Sequence, residues 1–355
     1  MMLAAALLAL PHPDALADTV RLVHTPREAA VIAVALDQTS TTEVASVQEW
    51  PTIDGERQED DVWTAEDLGG HKFELSIQFE DTFEAVGLDG RVCKLVRRLE
   101  EIAGTSLEVA TGDGRTEDQD ERELVSPLEG RAVRFVWDEE ERGHSCAFLD
   151  EGEDEALDAV LLGDQRIDAF GGWFLPPPEN AEVAPGARWE LTKERWNDFL
   201  RMGGEFRVDA ADADAPDEEH AAHVRDFEGQ LLRNGESDLA CWLAAVEAED
   251  GERVAVLGFE GTLDSHAKQD YTSDFDGTRG EVSARVEHEM RIEGSCRFDL
   301  DAGRALSIET RIAITTTITE RTTQERTGPR VQGTDFVTVK DTVTEAAVTF
   351  EERGG

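Results

Sequence analysis

Apolar and polar residues alternate from Glu281 to Thr319 with a period of two. Val282, Ala284, Val286, His288, Met290 and Ile292 are separated by Ser283, Arg285, Glu287, Glu289 and Arg291, and the series continues through Gly294, Cys296, Phe298 and Leu300. The turn residues Asp301-Ala302-Gly303-Arg304 follow, after which Leu306, Ile308, Ile312, Ile314 and Ile318 resume on the same parity. Successive side chains of a strand point to opposite faces, so this pattern predicts two long strands with one face buried and one wet. Each is about 15–19 residues long against a usual ~5–6, which is roughly 50–60 Å at ~3.3 Å per residue.

The pattern recurs in the first half. His71–Val86 alternates through Phe73, Leu75, Ile77, Phe79, Phe83 and Ala85, the turn Leu88-Asp89-Gly90-Arg91 follows, and Cys93, Leu95 and Leu99 continue the odd parity. A short Gly-bearing turn between alternating runs is a hairpin signal, and its match with the Asp301–Arg304 turn suggests two related halves. Further hairpins are expected from Arg131–Trp137 with His144–Leu149, and from Ala240–Ala248 with Arg253–Leu263. Asp335–Glu351 reads as the last strand, with a parity change near Asp341–Glu345 that suggests a bulge. Gln48–Gly70, Gly112–Glu123 and Thr322–Thr334 are polar and read as loops.

Short helices are expected over Glu153–Leu162, from Thr192 to Met202 and over Asp217–Leu232. The segment Phe174-Leu175-Pro176-Pro177-Pro178-Glu179-Asn180 disfavours helix and central strand alike and marks a boundary. The organisation is therefore a signal-like segment at 1–17, a β-rich half at 18–175, and a second at 176–355 carrying a helical insertion at about 192–235. The expected class is α+β, mostly antiparallel β: a long curved sheet or incomplete barrel with a few short helices.

Charge narrows the partners. The chain of 355 residues has 79 acidic against 34 basic residues, a net charge of −45. Nucleic acid needs Lys and Arg for its phosphates and is excluded as a partner. Anionic membranes are disfavoured too. An apolar run from Leu3 to Leu10 followed by Ala15-Leu16-Ala17 is a secretory signal pattern, although Lys and Arg are missing before it. It points to export, to a periplasmic or extracellular location. No apolar run is long enough for a transmembrane helix. Outer-membrane barrels flank an apolar belt with aromatic girdles; here there is one tyrosine, Tyr271, and aromatics are 6% of the chain. Of the four cysteines, Cys93 and Cys296 share the parity of apolar neighbours, so Cys93, Cys146, Cys241 and Cys296 read as thiols packed like small hydrophobes rather than as two disulfides.

No catalytic motif stands out. The G-x-S-x-G elbow, the P-loop and G-x-G-x-x-G are absent. His144 and Cys146 share one face of a predicted strand, where an edge histidine beside a packed thiol is the plainer account than a protease pair. His220 and His223, spaced i, i+3 on one side of a helix with Asp217 nearby, are the candidate metal ligands; a solvated acidic helix is the plainer account. The acid clusters Asp209–Glu219 and Asp150–Glu155 lack EF-hand spacing and read as solvated charge. Trp173, Trp189, Trp196 and Phe199 suit a helix-to-sheet wedge better than a ligand wall. No cofactor is expected.

A signal-like start, long strands, Pro185-Gly186 with Trp189 after a Pro-rich stretch, and Phe298-Asp299-Leu300-Asp301-Ala302-Gly303-Arg304 between strands occur together. The combination resembles exported β-rich bacterial proteins of unknown function of the planctomycete type. Its architecture also resembles periplasmic lipoprotein-carrier half-barrels, which implies an acyl-chain ligand in a concave sheet and carries over no functional residue. The expectation is a soluble, exported, non-catalytic protein that binds a lipid, another apolar or amphipathic ligand, or a protein partner. The alternatives are a hydrolase using an acid pair or the His220/His223 site, and a structural or interaction scaffold.

Overall fold

The structure is a computed structural model. It describes residues 19–54, 56–59, 62–66, 68–87, 90–112, 115–140, 143–149, 172, 174–192, 209–210, 235–249, 251–275, 278–324 and 332–353. The segment 1–17, the helices expected at Glu153–Leu162 and Asp217–Leu232, all but Thr192 of the one expected from Thr192 to Met202, and most of the insertion at about 192–235 lie outside these residues. So do Leu88 and Asp89.

In chain order the described strands are β1 (Val20–Arg21), β2 (Val31–Ile53), β3 (Glu56–Arg57), β4 (Trp63–Glu66), β5 (Gly69–Val86), β6 (Val92–Gly112), β7 (Arg115–Val125), β8 (Ala132–Asp138), β9 (Gly143–Phe148), β10 (Glu182–Val183), β11 (Arg188–Glu190), β12 (Asp209–Ala210), β13 (Glu236–Ser237), β14 (Ala240–Glu249), β15 (Glu252–Phe275), β16 (Thr278–Asp299), β17 (Arg304–Gln324) and β18 (Gln332–Arg353). Sixteen of them form one antiparallel sheet in the order β11-β14-β15-β16-β17-β18-β2-β5-β6-β7-β12. Strands β3 and β4 add to β2, β13 adds to β15, and β8 pairs with β6 and β9. The order has two ends, so the sheet does not close into a barrel. The expected class is the class observed. Strand β18 pairs with β2 from Gln332↔Ile53 to Arg353↔Val31, which joins the end of the chain to its beginning.

The alternation that predicts β16 and β17 is realised in burial. Val282, Ala284, Val286, Met290, Ile292, Cys296 and Phe298 are buried, and Met290 and Ile292 face Ile314 and Ile312 across the ladder. The two strands reach 22 and 21 residues, longer than expected. One detail differs: a bulge between Arg297 and Phe298 puts Ala305, not Leu306, opposite Phe298. One extra residue on β17 reverses the parity between the turn and Ile308. The bulge expected in the last strand near Asp341–Glu345 is not there: the register shift beside Val339 and Lys340 skips Ala45, so the extra residue is on β2, and β18 pairs with β17 without interruption.

The three expected loops are largely strand. Strand β2 runs on to Ile53 and is extended by β3 and β4, β7 occupies Arg115–Val125, and β17 and β18 leave only 325–331 between them. These stretches are rich in polar residues, so the sequence offers little apolar alternation to read, while β-branched residues such as Thr52, Ile53, Thr322 and Thr323 still favour extended backbone. A turn signal is present in two of them: the paired ends Ile53/Glu56 and Gly112/Arg115 enclose Asp-Gly, as do Glu249/Glu252 and Phe275/Thr278 elsewhere in the sheet. Asp-Gly suits the two-residue hairpin loop because both positions take positive φ, as Asp54 (53°) and Gly251 (93°) do.

The core gathers at one end of the sheet, where the β5–β6, β14–β15 and β16–β17 turns lie. Leu36, Ile77, Phe79, Leu99, Phe135, Leu257, Phe259, Phe298, Ile308 and Val348 pack there. Phe174 and Leu175, at the expected boundary, are buried in the same core, and the Trp189 indole donates to the Phe174 carbonyl at 3.0 Å. Strands β1 and β10 pair as a separate two-stranded ribbon, Val20↔Val183. The bond from Leu22 N–H to the Ala181 carbonyl (2.9 Å) continues the ribbon, and Thr25 N–H to the Gly303 carbonyl (2.8 Å) ties it to the β16–β17 turn.

Candidate binding faces of the sheet

The buried face is filled at the turn end. Phe79, Phe135, Phe174, Phe259 and Phe298 are among the largest side chains fully removed from solvent. Gly294, on the apolar parity of β16, leaves room for the Phe259 ring: a Cβ at Gly294 would lie 2.3 Å from Phe259 Cζ. What stays open within this end is a cavity of about 60 Å³ lined by His24, Ile32, Asp81, Phe83, Arg304 and Phe350, among others. Arg97 is fully buried beside it and forms a bidentate ion pair with Asp81 at 2.7 and 2.8 Å. His24 sits just after the ribbon. Burial pushes its pKa down to about 4, and a hydrogen bond to the Gly303 backbone opposes that shift.

The opposite face is polar and carries larger hollows. One of about 860 Å³ is lined by Asp37, Thr39, Glu74, Ser76, Glu121 and Glu123. A second, of about 420 Å³, is lined by Asp37, Glu293, Glu309, Arg311 and Glu345. Arg311 lies 3.6 Å from Glu293 and 3.4 Å from Glu345. The parity explains the contrast: Asp37 and Ser76 are register partners next to Leu36 and Ile77, whose side chains enter the core. At the end remote from the turns, Trp63 and Val62 are exposed beside β2.

A second buried carboxylate lies on this polar parity. Asp335 has no exposed side-chain surface and accepts from Arg321 Nε and Nη2 at 2.8 Å each and from Arg57 Nε at 2.7 Å. The Arg321 hydrogen bond leads the effects that hold its carboxyl below the usual range. The Arg57 guanidinium also lies 4.4 Å from the Trp50 ring centroid. The two arginines tie β3 and β17 to β18.

The candidate metal ligands His220, His223 and Asp217 lie outside the described residues, as do Trp173, Trp196, Phe199, the Asp150–Glu155 cluster and all of Asp209–Glu219 except Asp209 and Ala210. Among the described residues no group of three or more His, Cys, Asp or Glu is placed to hold a metal ion. No cysteine is in a disulfide; Cys241 and Cys296 are buried, Cys93 and Cys146 half-buried. Burial, then the nearby Cys241, pushes the Cys296 thiol well up, which keeps it protonated. His144 does share its strand with Cys146, but its Nε2 is 2.9 Å from the Val92 carbonyl oxygen and its ring packs edge-on to Trp137 at 5.1 Å. That arrangement anchors a strand.

The buried ion pair is the feature sequence reading missed. Its signal was a charge on an apolar parity, twice: Asp81 between Phe79 and Phe83, and Arg97 between Leu95 and Leu99. His24 carries no such signal, because the chain around it does not alternate.

Among the described residues no helix is long and apolar enough to cross a membrane. No protein-family model matches the chain, and no curated protein matches it. Among solved structures it is similar to an outer membrane channel from Pseudomonas putida F1, at 9% identity over 96% of this chain and 100% of that one, with a TM-score of 0.20. It is also similar to a loop-deletion mutant of an outer membrane protein of Vibrio cholerae, at 7% identity over 90% and 99%, with a TM-score of 0.12. At these TM-scores neither likeness carries an argument about fold or function.

Proposed function

We propose that this is an exported, non-catalytic protein that works as an interaction scaffold, presenting its long sheet to a protein partner. The observation that supports this over ligand carriage is the filled turn end of the buried face among the described residues. Small-molecule sites are usually ~300–1,000 Å³ and mostly apolar. The partly open cavity at that end is about 60 Å³, and hollows of the right size lie on the carboxylate-bearing face. An acyl chain gains nothing there, since its binding free energy comes from apolar contact. A partner with a basic surface fits that face, and a charge-complementary encounter of this kind weakens with salt.

Native mass spectrometry of the protein purified from its own host tests the reading. The expected spectrum is the polypeptide without lipid or stoichiometric transition metal, in complex with a protein at low salt. A lipid bound one to one would overturn the scaffold in favour of the carrier. A bound transition metal lost on replacing His220 and His223 would favour the hydrolase.

A further inference from the structure

We propose that the partly open cavity beside His24 is a hydration site, which takes neutral molecules of the water class that accept from Arg304 Nε–H and donate to His24 Nδ1. Both atoms are buried, and neither has a hydrogen-bond partner among the described residues. Both residues line the same cavity. Leaving either atom unsatisfied is costly, so a native fold satisfies it.

The two atoms are complementary. Arg304 Nε can only donate. The His24 ring bonds the Gly303 backbone, and with Nδ1 unpartnered that bond belongs to Nε2–H, which leaves Nδ1 as an acceptor. A water, being donor and acceptor at once, serves both.

Size excludes large occupants. Asp81 is paired with Arg97 at 2.7 Å and Glu352 with Arg27 at 2.5 Å, and Arg304 Nε lies a further 3.6 Å from Glu352. Three guanidiniums against two carboxylates leave one positive charge, so a small anion is the competing occupant and a cation is disfavoured. The cavity of about 60 Å³ has room for a few waters, each needing ~10–15 Å³ of such volume. The Ile32, Phe83 and Phe350 side chains offer water no hydrogen bond, whereas Thr25, Arg27, Asp81 and Glu352 also line the cavity, so order is expected on its polar side, which includes His24 and Arg304. The hydrated contact joins the N-terminal segment to β17, beside the direct bond from Thr25 to Gly303.

A crystal structure of the full chain, at a resolution that shows ordered water, is the first test. Density is expected within ~3.2 Å of His24 Nδ1 and of Arg304 Nε. Oxygen-17 relaxation dispersion counts long-lived internal waters in solution; at least one should disappear in both His24→Leu and Arg304→Met. Should either variant fail to fold, the crystal structure of the unaltered chain still decides. Absence of density at both atoms, density for an ion or elongated ligand, or a ring turned so that Nδ1 meets a protein donor would each overturn the proposal.

Discussion

Asp81 and Arg97 are direct register partners on β5 and β6, and they meet as a two-pronged ion pair inside the core. The guanidinium also lies 4.1 Å from the Phe79 ring centroid. A charge buried among aromatic rings is tolerated only while its partner is present. Arg97→Met or Asp81→Ala should therefore destabilise the fold by about 3–5 kcal/mol, read as a shift in the urea midpoint. The double variant Asp81→Leu/Arg97→Met should recover most of that loss, since a well-packed apolar pair often equals a buried ion pair. A double variant as unstable as the sum of the two single ones would show that the pair does more than neutralise itself.

Gly294 and Phe259 give a packing prediction of the opposite kind. The ring occupies the space that a side chain at 294 would need, and the Glu309 carbonyl oxygen closes it from the next strand at 2.3 Å. Gly294→Ala should cost about 1–3 kcal/mol through overpacking, despite alanine's lower entropy cost on folding. Phe259→Leu in the same chain should relieve part of the clash. Denaturant unfolding of the two single variants and the double one measures the coupling; additive effects would place the ring elsewhere.

His24 sets a pH window. Its pKa falls from 6.5 in the unfolded chain to about 4 in the fold, so between these values the unfolded state binds the extra proton. Stability is then full above ~6.5 and declines as pH falls towards ~4, by roughly 3 kcal/mol at most. Asp335 acts lower: its carboxyl is depressed by Arg321 and Arg57, so its contribution is held above the unfolded value of 3.8 and lost as pH drops further. In thermal melts from pH 7 down to about pH 2, His24→Gln should flatten the first decline and leave the second. A slope unchanged by that substitution would assign the upper window to other groups.

Much of this architecture was legible because burial on one face imprints a period of two, as in Met290-x-Ile292 and Ile77-x-Phe79. Legibility stopped where both faces are polar: Thr39–Val47 and Arg115–Glu123 show no alternation, and only the Asp-Gly turns beside them mark the hairpins. The parity reversal at Ala305 could not be read either, because a bulge is a backbone event that leaves the residue types unchanged. Chemistry was less legible than fold. Asp81 and Arg97 break an apolar parity and were readable in principle. His24 meets Gly303 and Arg304 only through the docking of β1, a contact between parts of the chain some 280 residues apart with no pattern of its own.

The net charge of −45 makes salt the last lever. The carboxylates crowd one face: Asp37, Glu74, Glu121 and Glu123 share one hollow, and Glu293, Glu309 and Glu345 share another with Arg311. Folding brings them together, so the folded state carries more self-repulsion than the unfolded chain. The exposed ion pairs that salt would weaken, such as Arg188–Glu260 and Arg253–Asp301, are solvated and contribute little. Repulsion outweighs them. Raising sodium chloride from 0.01 to 1 M shortens the screening length from ~30 to ~3 Å, so Tm should rise, at roughly 2–4 °C per kcal/mol for a domain of about 150–250 residues and less for a longer chain. Replacing Glu121 and Glu123 with Gln should raise Tm at low salt and shrink that dependence. A Tm that falls with salt would mean that surface ion pairs, not carboxylate repulsion, dominate the electrostatics of this sheet.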